Sequence, residues 1–422
     1  MAIDFPNSPT SGQIFTSGDK SWIWDGTVWK AYGASLSPTT LKVDSTNTRV
    51  GINNQSPAYT LDVNGTVEAT QFLQGTDYLT PYTGFRNAII NGDFRINQRA
   101  WSSTSGSGGT ISGTYGFDRW QIVASGGTET MSSQTFTVGS PAATGYESAT
   151  FVRLTTSGQS ASSDYGVLRQ YIEDVRTFAN SAVTVSFWAK ASSGTPKIAV
   201  DLTQDFGSGG SPSAQVNTYA GQVTLSTSWA RYSVTVSNPN INGKTIGTTA
   251  NTSALALLLW ISAGSNFSSR TGSLGIQNTT IDFWGVQVER GSVATPFEQR
   301  TIGAELALCQ RYYEKSYVLA TAPGSSGFTG SALMQGTTDS GSLAQQVVTF
   351  NVPKRYVSYT ITTYNASGTS GNWEYYRNGA SSSTATPTLD SFTERQFRGY
   401  VNAGASFVAV QMYGHWVCNA EF

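Results

Sequence analysis

The sequence predicts an all-β, loop-rich fold, on three observations. Charged residues make up only 12% of the 422 positions, about half the usual share for soluble domains. Gly, Ser and Thr fill most of the remaining polar positions, which suits strand surfaces and tight turns better than helices. Aromatic residues reach 12%, more ring surface than a disordered chain carries.

The length allows roughly three domains. Residues 1–35 form the first unit, where GQIFTSGDKSWIWDGTVWKAY holds two short aromatic strands split by Gly18-Asp19 and Asp25-Gly26. Trp22, Trp24 and Trp29 would cap it, yet it is too small for a core of its own, so it should pack on copies of itself or on a larger partner. Residues 36–84 follow as a thin, intertwined shaft. In RVGINNQSPAYTLDVNGTVEATQFL the segments TLDV and TVEA flank Asn64-Gly65, a strong hairpin turn signal.

Residues 85–300 are dense in strand signals. Segments 183–190, 197–202, 222–225, 229–236, 255–261 and 281–289 each run between Gly, Ser, Asn or Pro clusters with no helix between them. That pattern predicts a two-sheet sandwich or jelly roll. Over 301–317 the period changes. Ile302, Leu306, Cys309 and Tyr312/Tyr313 recur at three and four residues, as on one face of a short helix. Strands resume at 346–350, 356–364, 373–377, 396–401 and 407–417, enough for a second, smaller sandwich within 301–422.

A formal net charge of −1 and the lack of any Lys/Arg run argue against nucleic acid as a partner. The start MAIDFPNSPTSGQ has neither the basic region nor the apolar core of a secretory signal. The longest apolar run, 255–261, is too short to span a bilayer. The expectation is synthesis in a cytoplasm without membrane insertion. Cys309 and Cys418 read as two buried free thiols, with a disulfide between them as the alternative.

Several of these segments carry a resemblance. GQIFTSGDKSWIWDGTVWKAY resembles the N-terminal segment of tail-fibre-like structural proteins of cyanophages, and RVGINNQSPAYTLDVNGTV a shaft motif of phage fibres. NAIINGDFRINQRA, YGFDRW, VTVSFWAKA and IDFWGVQVERGSVATPFEQRTIGAELALCQRYYEKS are similar to a carbohydrate-binding-module-like jelly roll common in phage tail fibres. The resemblance spans most of 1–317. It implies an elongated homotrimer in a virion tail, with the N-terminus on a tail or baseplate protein and a receptor-binding tip facing a host surface glycan. Such jelly rolls also carry a structural calcium held by carboxylates and carbonyls. Their usual Asn-Gly-x-Phe-Glu reads Asn91-Gly92-Asp93-Phe94-Arg95 here, with Arg in place of the acid, so Asp93 and Asp282 are candidates for the metal's carboxylate, with ordinary turn roles for both as the alternative. No other cofactor is implied.

A sugar site needs an aromatic ring for the C–H face and polar groups for the hydroxyls. GNWEYYRNG, 371–379, offers Trp373, Tyr375, Tyr376 and Arg377, with Trp373 and Tyr375 as core residues of the tip the alternative, and consecutive Tyr375 and Tyr376 in a strand must face opposite ways. Trp101 and Trp120 flank a Gly/Ser-rich loop and are candidates for a groove edge. Trp188, Trp260 and Trp284, inside apolar strands, read as core. Leu306, Cys309 and Tyr313 on the predicted helix are candidates for contacts about a three-fold axis. His415, the sole histidine, cannot supply a multi-His metal set, and no Gly-x-Ser-x-Gly accompanies it. No carboxylate pair of recognisable spacing appears either. The function expected is therefore non-enzymatic attachment of a phage to host polysaccharide. The alternatives are a purely structural virion fibre or decoration protein, and a polysaccharide depolymerase.

Overall fold

A computed structural model describes residues 4–18, 20–34, 41–44, 46–54, 56–65, 73–74, 77–78, 85–107, 110–327, 329–377 and 383–422. The chain forms two compact units, Met1–Tyr82 and Thr83–Phe422. Among the described residues no helix is long and apolar enough to cross a membrane.

In the first unit, β1 (Ile14–Ser17), β2 (Lys20–Trp24) and β3 (Trp29–Ala34) make an antiparallel meander whose turns fall at the two signals read from the sequence. Asp25 closes the second turn by accepting the Thr27 and Val28 amides, both at 2.8 Å. Phe5 stacks on Trp29 at 5.3 Å and meets Trp22 edge-on, so the aromatic residues form a small cluster of their own. Next come β4 (Leu41–Asp44), β5 (Arg49–Ile52) and β6 (Leu61–Val63). β6 runs parallel to β5, a pairing the hairpin prediction did not include; the predicted second arm, TVEA, lies outside the described residues. A two-residue pair, β7 (Leu73–Gln74) and β8 (Asp77–Tyr78), completes the unit.

The second unit begins with the jelly roll. Its strands are β9 (Ser103–Ser107), β10 (Thr110–Tyr115), β11 (Gln121–Ser125), β12 (Thr128–Thr135), β13 (Thr150–Ser157), β14 (Tyr165–Glu173), β15 (Ser181–Ala191), β16 (Lys197–Asp205), β17 (Val216–Thr224), β18 (Ala230–Asn238), β19 (Ala254–Ala263) and β20 (Thr280–Arg290). They form two six-stranded sheets, β10-β11-β14-β19-β16-β17 and β18-β15-β20-β13-β12-β9. Leu168, Leu202, Leu257 and Leu259 of one sheet pack against Val152, Val185, Phe187 and Phe283 of the other. β19 is buried along all ten residues because its outer face is covered too. There Leu258 and Trp260 lie beneath Tyr165, Tyr171 and Phe267, the last from the segment leading into α1 (Ser268–Thr271).

The NAIING segment is structural. Asn87 Oδ1 accepts the amides of Ile89 and Val288, both at 3.0 Å. Asn91 Nδ2 donates to Ile96 and Asp118 carbonyls, and its own carbonyl accepts the Trp120 indole. A Cβ at Gly92 would sit 2.2 Å from the Val286 carbonyl oxygen, so no side chain fits there.

After the jelly roll the predicted helix is shorter than its periodicity suggests. α2 (Ile302–Gln310) ends, and β21 (Tyr313–Lys315) pairs with residues 417–419. Two tyrosines in succession favour a strand, and the C-terminal segment supplies its partner. The second sandwich comprises β22 (Ala332–Thr337), β23 (Leu343–Thr349), β24 (Thr360–Tyr364), β25 (Trp373–Arg377), β26 (Ser383–Ala385), β27 (Thr388–Asp390), β28 (Gln396–Asn402) and β29 (Ala409–Asn419). β29 pairs in turn with β21, β24, β22 and β25, while β23-β28-β27 form the facing sheet. Between the sheets the Trp373 indole is wedged against Gly399 and Gly414.

The two sandwiches share a buried ionic seam. Arg99 bonds Asp118 at 2.7 Å and reaches Glu421 at 3.3 Å, and Arg119 binds the same Glu421. The Arg119 guanidinium lies 3.3 Å from the centre of the Tyr312 ring, and Phe422 stacks on Tyr171. Nearby, Arg311 grips Glu173 through two bonds of 2.7 and 2.9 Å.

Candidate functional site

The predicted cluster on β25 divides between two faces. Trp373 is 1% exposed and donates its indole N–H to the His415 carbonyl at 3.0 Å, so it serves the core and offers no face to a sugar. Tyr375, opposite Met412, packs against the same core. Tyr376 faces out. Its strand partner is Gln411, and its ring meets that of Tyr413 at 5.7 Å and 86°. The Tyr413 hydroxyl donates to Gln411 Oε1 at 3.1 Å. Gln335, opposite Gln411 on β22, is also exposed. Arg377 lies on the other side of β25 and bonds the Ala403 carbonyl at 2.9 Å. The outward platform is thus Tyr376 and Tyr413, with Gln411 and Gln335 as hydrogen-bonding neighbours. Tyr413 was not singled out in the sequence; strict alternation along β29 from the buried Met412 is the signal that places it.

The facing sheet carries a smaller platform. Tyr400 lies between Gln345 and Thr388 on β28. Beside it Arg398 holds Asp390 at 2.8 and 2.6 Å, bonds Gln345 at 3.0 Å, and has its guanidinium carbon 5.5 Å from the Tyr400 ring centre.

The remaining candidates are corrected by their surroundings. Trp120 has no exposed surface, packs on Phe94 at 5.1 Å, and so edges no groove. Trp101 is half-buried, with its indole N–H on Thr104 at 2.8 Å and its ring against Phe117. Trp188 and Trp284 are buried with Phe151 and Phe297 in a cluster separate from the main core. Asp282 makes two bonds to Arg153, at 2.6 and 2.9 Å, with Lys190 at 3.7 Å. Asp93 lies 2.9 Å from Arg95, and burial pushes its carboxyl above the usual range. Both carboxylates are already neutralised by cationic side chains and do not fit a calcium ion. Among the described residues no group of three metal-ligating side chains occurs. Cys309 is fully buried and Tyr313 lies under the Arg99 guanidinium at 3.8 Å, so these two face the chain's own interior. Leu306 is half-buried on the same short helix. Both thiols are free, and burial pushes that of Cys418 up to about 12.

The jelly roll's outer sheet face is roofed by its own chain. Arg270 of α1 bonds Asp201 and Thr203 at 2.7 and 2.9 Å and lies 5.1 Å from the centre of the Trp260 ring. A cavity of about 280 Å³ lies among Glu173, Asp174, Arg176, Thr249, Asn251 and Ser253, without an aromatic ring in its wall.

No protein-family model and no curated protein matches the chain. Solved structures similar to it include the xylan-binding CBM22-2 domain of Paenibacillus barcinonensis Xyn10C, at 17% identity and a TM-score of 0.25, over 41% of this chain and 92% of that one. The family 11 carbohydrate-binding module of Clostridium thermocellum, crystallised with a β-1,3-1,4-linked tetrasaccharide, gives 9% and 0.26 over 46% and 99%. The enzymatically active domain of tailspike protein 4 of bacteriophage CBA120 gives 11% and 0.25 over 49% and only 22%. At such TM-scores the likeness carries no argument about this chain.

His415 lies on the same face of β29 as Gln411 and Tyr413 but is buried. Its Nε2 donates to the Gly327 carbonyl at 3.1 Å, which leaves Nδ1 to accept from the Ser316 hydroxyl at 2.9 Å. The ring stacks on Tyr317 at 3.8 Å, and burial lowers its pKa. The imidazole is therefore neutral at pH 7 and engaged on both nitrogens.

Proposed function

We propose that the chain is a non-catalytic fibre subunit that attaches a phage particle to a host cell by binding surface polysaccharide through the outer face of its C-terminal sandwich. The observation that carries this reading is the right-angled Tyr376/Tyr413 pair beside Gln411 and Gln335. Two rings at that angle suit an extended polysaccharide. One stacks on a sugar's C–H face while the amides take its hydroxyls. Affinity at one such shallow site is modest, so attachment depends on several copies acting together.

A homotrimer supplies those copies. In its favour, Val43 and Leu61 in a sheet too small to hold a core are exposed, as is Tyr59 in the bend before β6, at 73%. The same observation favours the second reading, in which the protein only builds the particle.

Binding of the purified protein to host envelope polysaccharide, by surface plasmon resonance, separates the two. The double variant Tyr376→Ala/Tyr413→Ala should lose at least about 2 kcal/mol of affinity, since ring contacts of this kind are worth about 1 kcal/mol each beyond buried area. Unchanged binding by the variant removes this face as the sugar site, and no binding by the wild type removes the attachment role. Release of reducing ends during the incubation would turn the reading to a depolymerase.

A further inference from the structure

Four oxygen-bearing groups converge on the guanidinium of Arg300 where the jelly roll's first and last segments meet. Nη1 donates to the Ile89 carbonyl at 3.1 Å and lies 3.3 Å from both carboxylate oxygens of Glu305. Nη2 donates to the Asn87 carbonyl and lies 3.8 Å from Glu298. The carboxylates are set in place before any cation is counted. Glu298 accepts the backbone amides of Phe85 and Asn87, and Glu305 that of Asn91. All three side chains are largely shielded from water, with Arg300 only 7% exposed.

Two carboxylates and two backbone carbonyls are the donor types of a hard divalent cation. Arg300 contributes one positive charge to a cage that carries two negative ones. The neighbouring Arg95 and Asp93 cancel each other. The positions expected to hold calcium, Asp93 and Asp282, do not fit it, and here an arginine sits among two carboxylates and two backbone carbonyl oxygens.

We propose that the Arg300 guanidinium is an internal cation acting in place of a structural metal ion, and that its removal opens a latent calcium site between Glu298, Glu305 and the carbonyl oxygens of Asn87 and Ile89. The wild-type jelly roll then needs no metal, because its cation is covalently attached and cannot be chelated.

Thermal unfolding of the full chain tests both halves. Wild type should melt at the same temperature in EDTA and in about 10 mM calcium chloride, since a ligand with no site on the native state shifts nothing. Arg300→Ala should melt several degrees lower in EDTA and recover with calcium, and adding Glu305→Gln should cancel the recovery. Arg300→Met, which keeps the aliphatic stem, serves in the same titration. If either variant folds only when refolded with calcium, the proposal stands. A wild type destabilised by EDTA overturns it. So do variants that respond to calcium no more than wild type does, or that stay unfolded with and without it.

Discussion

Glu421 is the residue whose loss should be felt most widely. Its carboxylate receives Arg119, which has no exposed side-chain surface, and Arg99 at 3.3 Å. Glu421→Ala leaves Arg99 with Asp118 alone and Arg119 with no carboxylate, both shut away from water. Two charge-assisted contacts at about 1.5–3 kcal/mol each give roughly 3–6 kcal/mol. The cost of breaking a buried pair by deleting one partner falls in the same range, about 3–5 kcal/mol. The backbone carbonyl of Glu421 keeps its bond from Arg355, so the figure isolates the side chain. For a unit of this size that corresponds to a fall in Tm on the order of 10 °C. Scanning calorimetry on Glu421→Ala, Arg119→Met and Arg119→Met/Glu421→Leu reads it directly. The double variant should be more stable than either single one, because neither charge is then stranded. An Ala variant melting within about 1 °C of wild type would refute the account of the seam.

Three further outcomes are expected. His415 has its pKa lowered by burial, so the unfolded imidazole takes up a proton first; stability is whole above about pH 6.5 and declines as pH falls below it. With no other histidine in the chain, His415→Gln should flatten urea-measured stability over pH 5.5–7, and an unchanged slope would clear this residue. Gly414→Ala would place a Cβ 1.7 Å from Trp373 Cδ1, so it should cost at least about 1–3 kcal/mol in urea titration; a neutral result would mean the indole does not sit there. Glu314→Gln strands Lys354, whose side chain like that of Glu314 has no exposed surface, and should cost about 3–5 kcal/mol by the same titration, with a loss under 1 kcal/mol counting against the pair.

The sequence showed the apolar strands well and the polar ones poorly. The segments 183–190, 255–261, 281–289, 373–377 and 396–401 all lie on β-strands, because Val, Ile, Leu and aromatic residues mark a buried sheet directly. β9 to β14, β22, β26, β27 and much of β17 were missed. In β9, β10, β12 and β17 the Ser, Thr and Gly content reads as loop until neighbouring strands supply the ladder, and in β13 and β14 Arg, Gln and Thr interrupt the apolar positions. The outer platform was half visible. Alternation showed that Tyr375 and Tyr376 part company, but which of them faces out depends on Met412 and Trp373 being core. Arginine partners were the least legible. Arg153 lies 129 positions from Asp282, and Arg99 and Arg119 lie 322 and 302 positions from Glu421, so no local pattern ties them together.

β29 also bears on the order in which the protein can be made. Four strands, β21, β22, β24 and β25, have their ladder partner in Ala409–Asn419. On a ribosome the jelly roll has every strand of its two sheets once Arg290 has emerged, and it can collapse while the rest is still being translated. The C-terminal sandwich cannot. Its strands wait with open edges, from about a hundred residues for β21 down to about forty for β25, a window in which they can pair with those of another nascent chain on the same message.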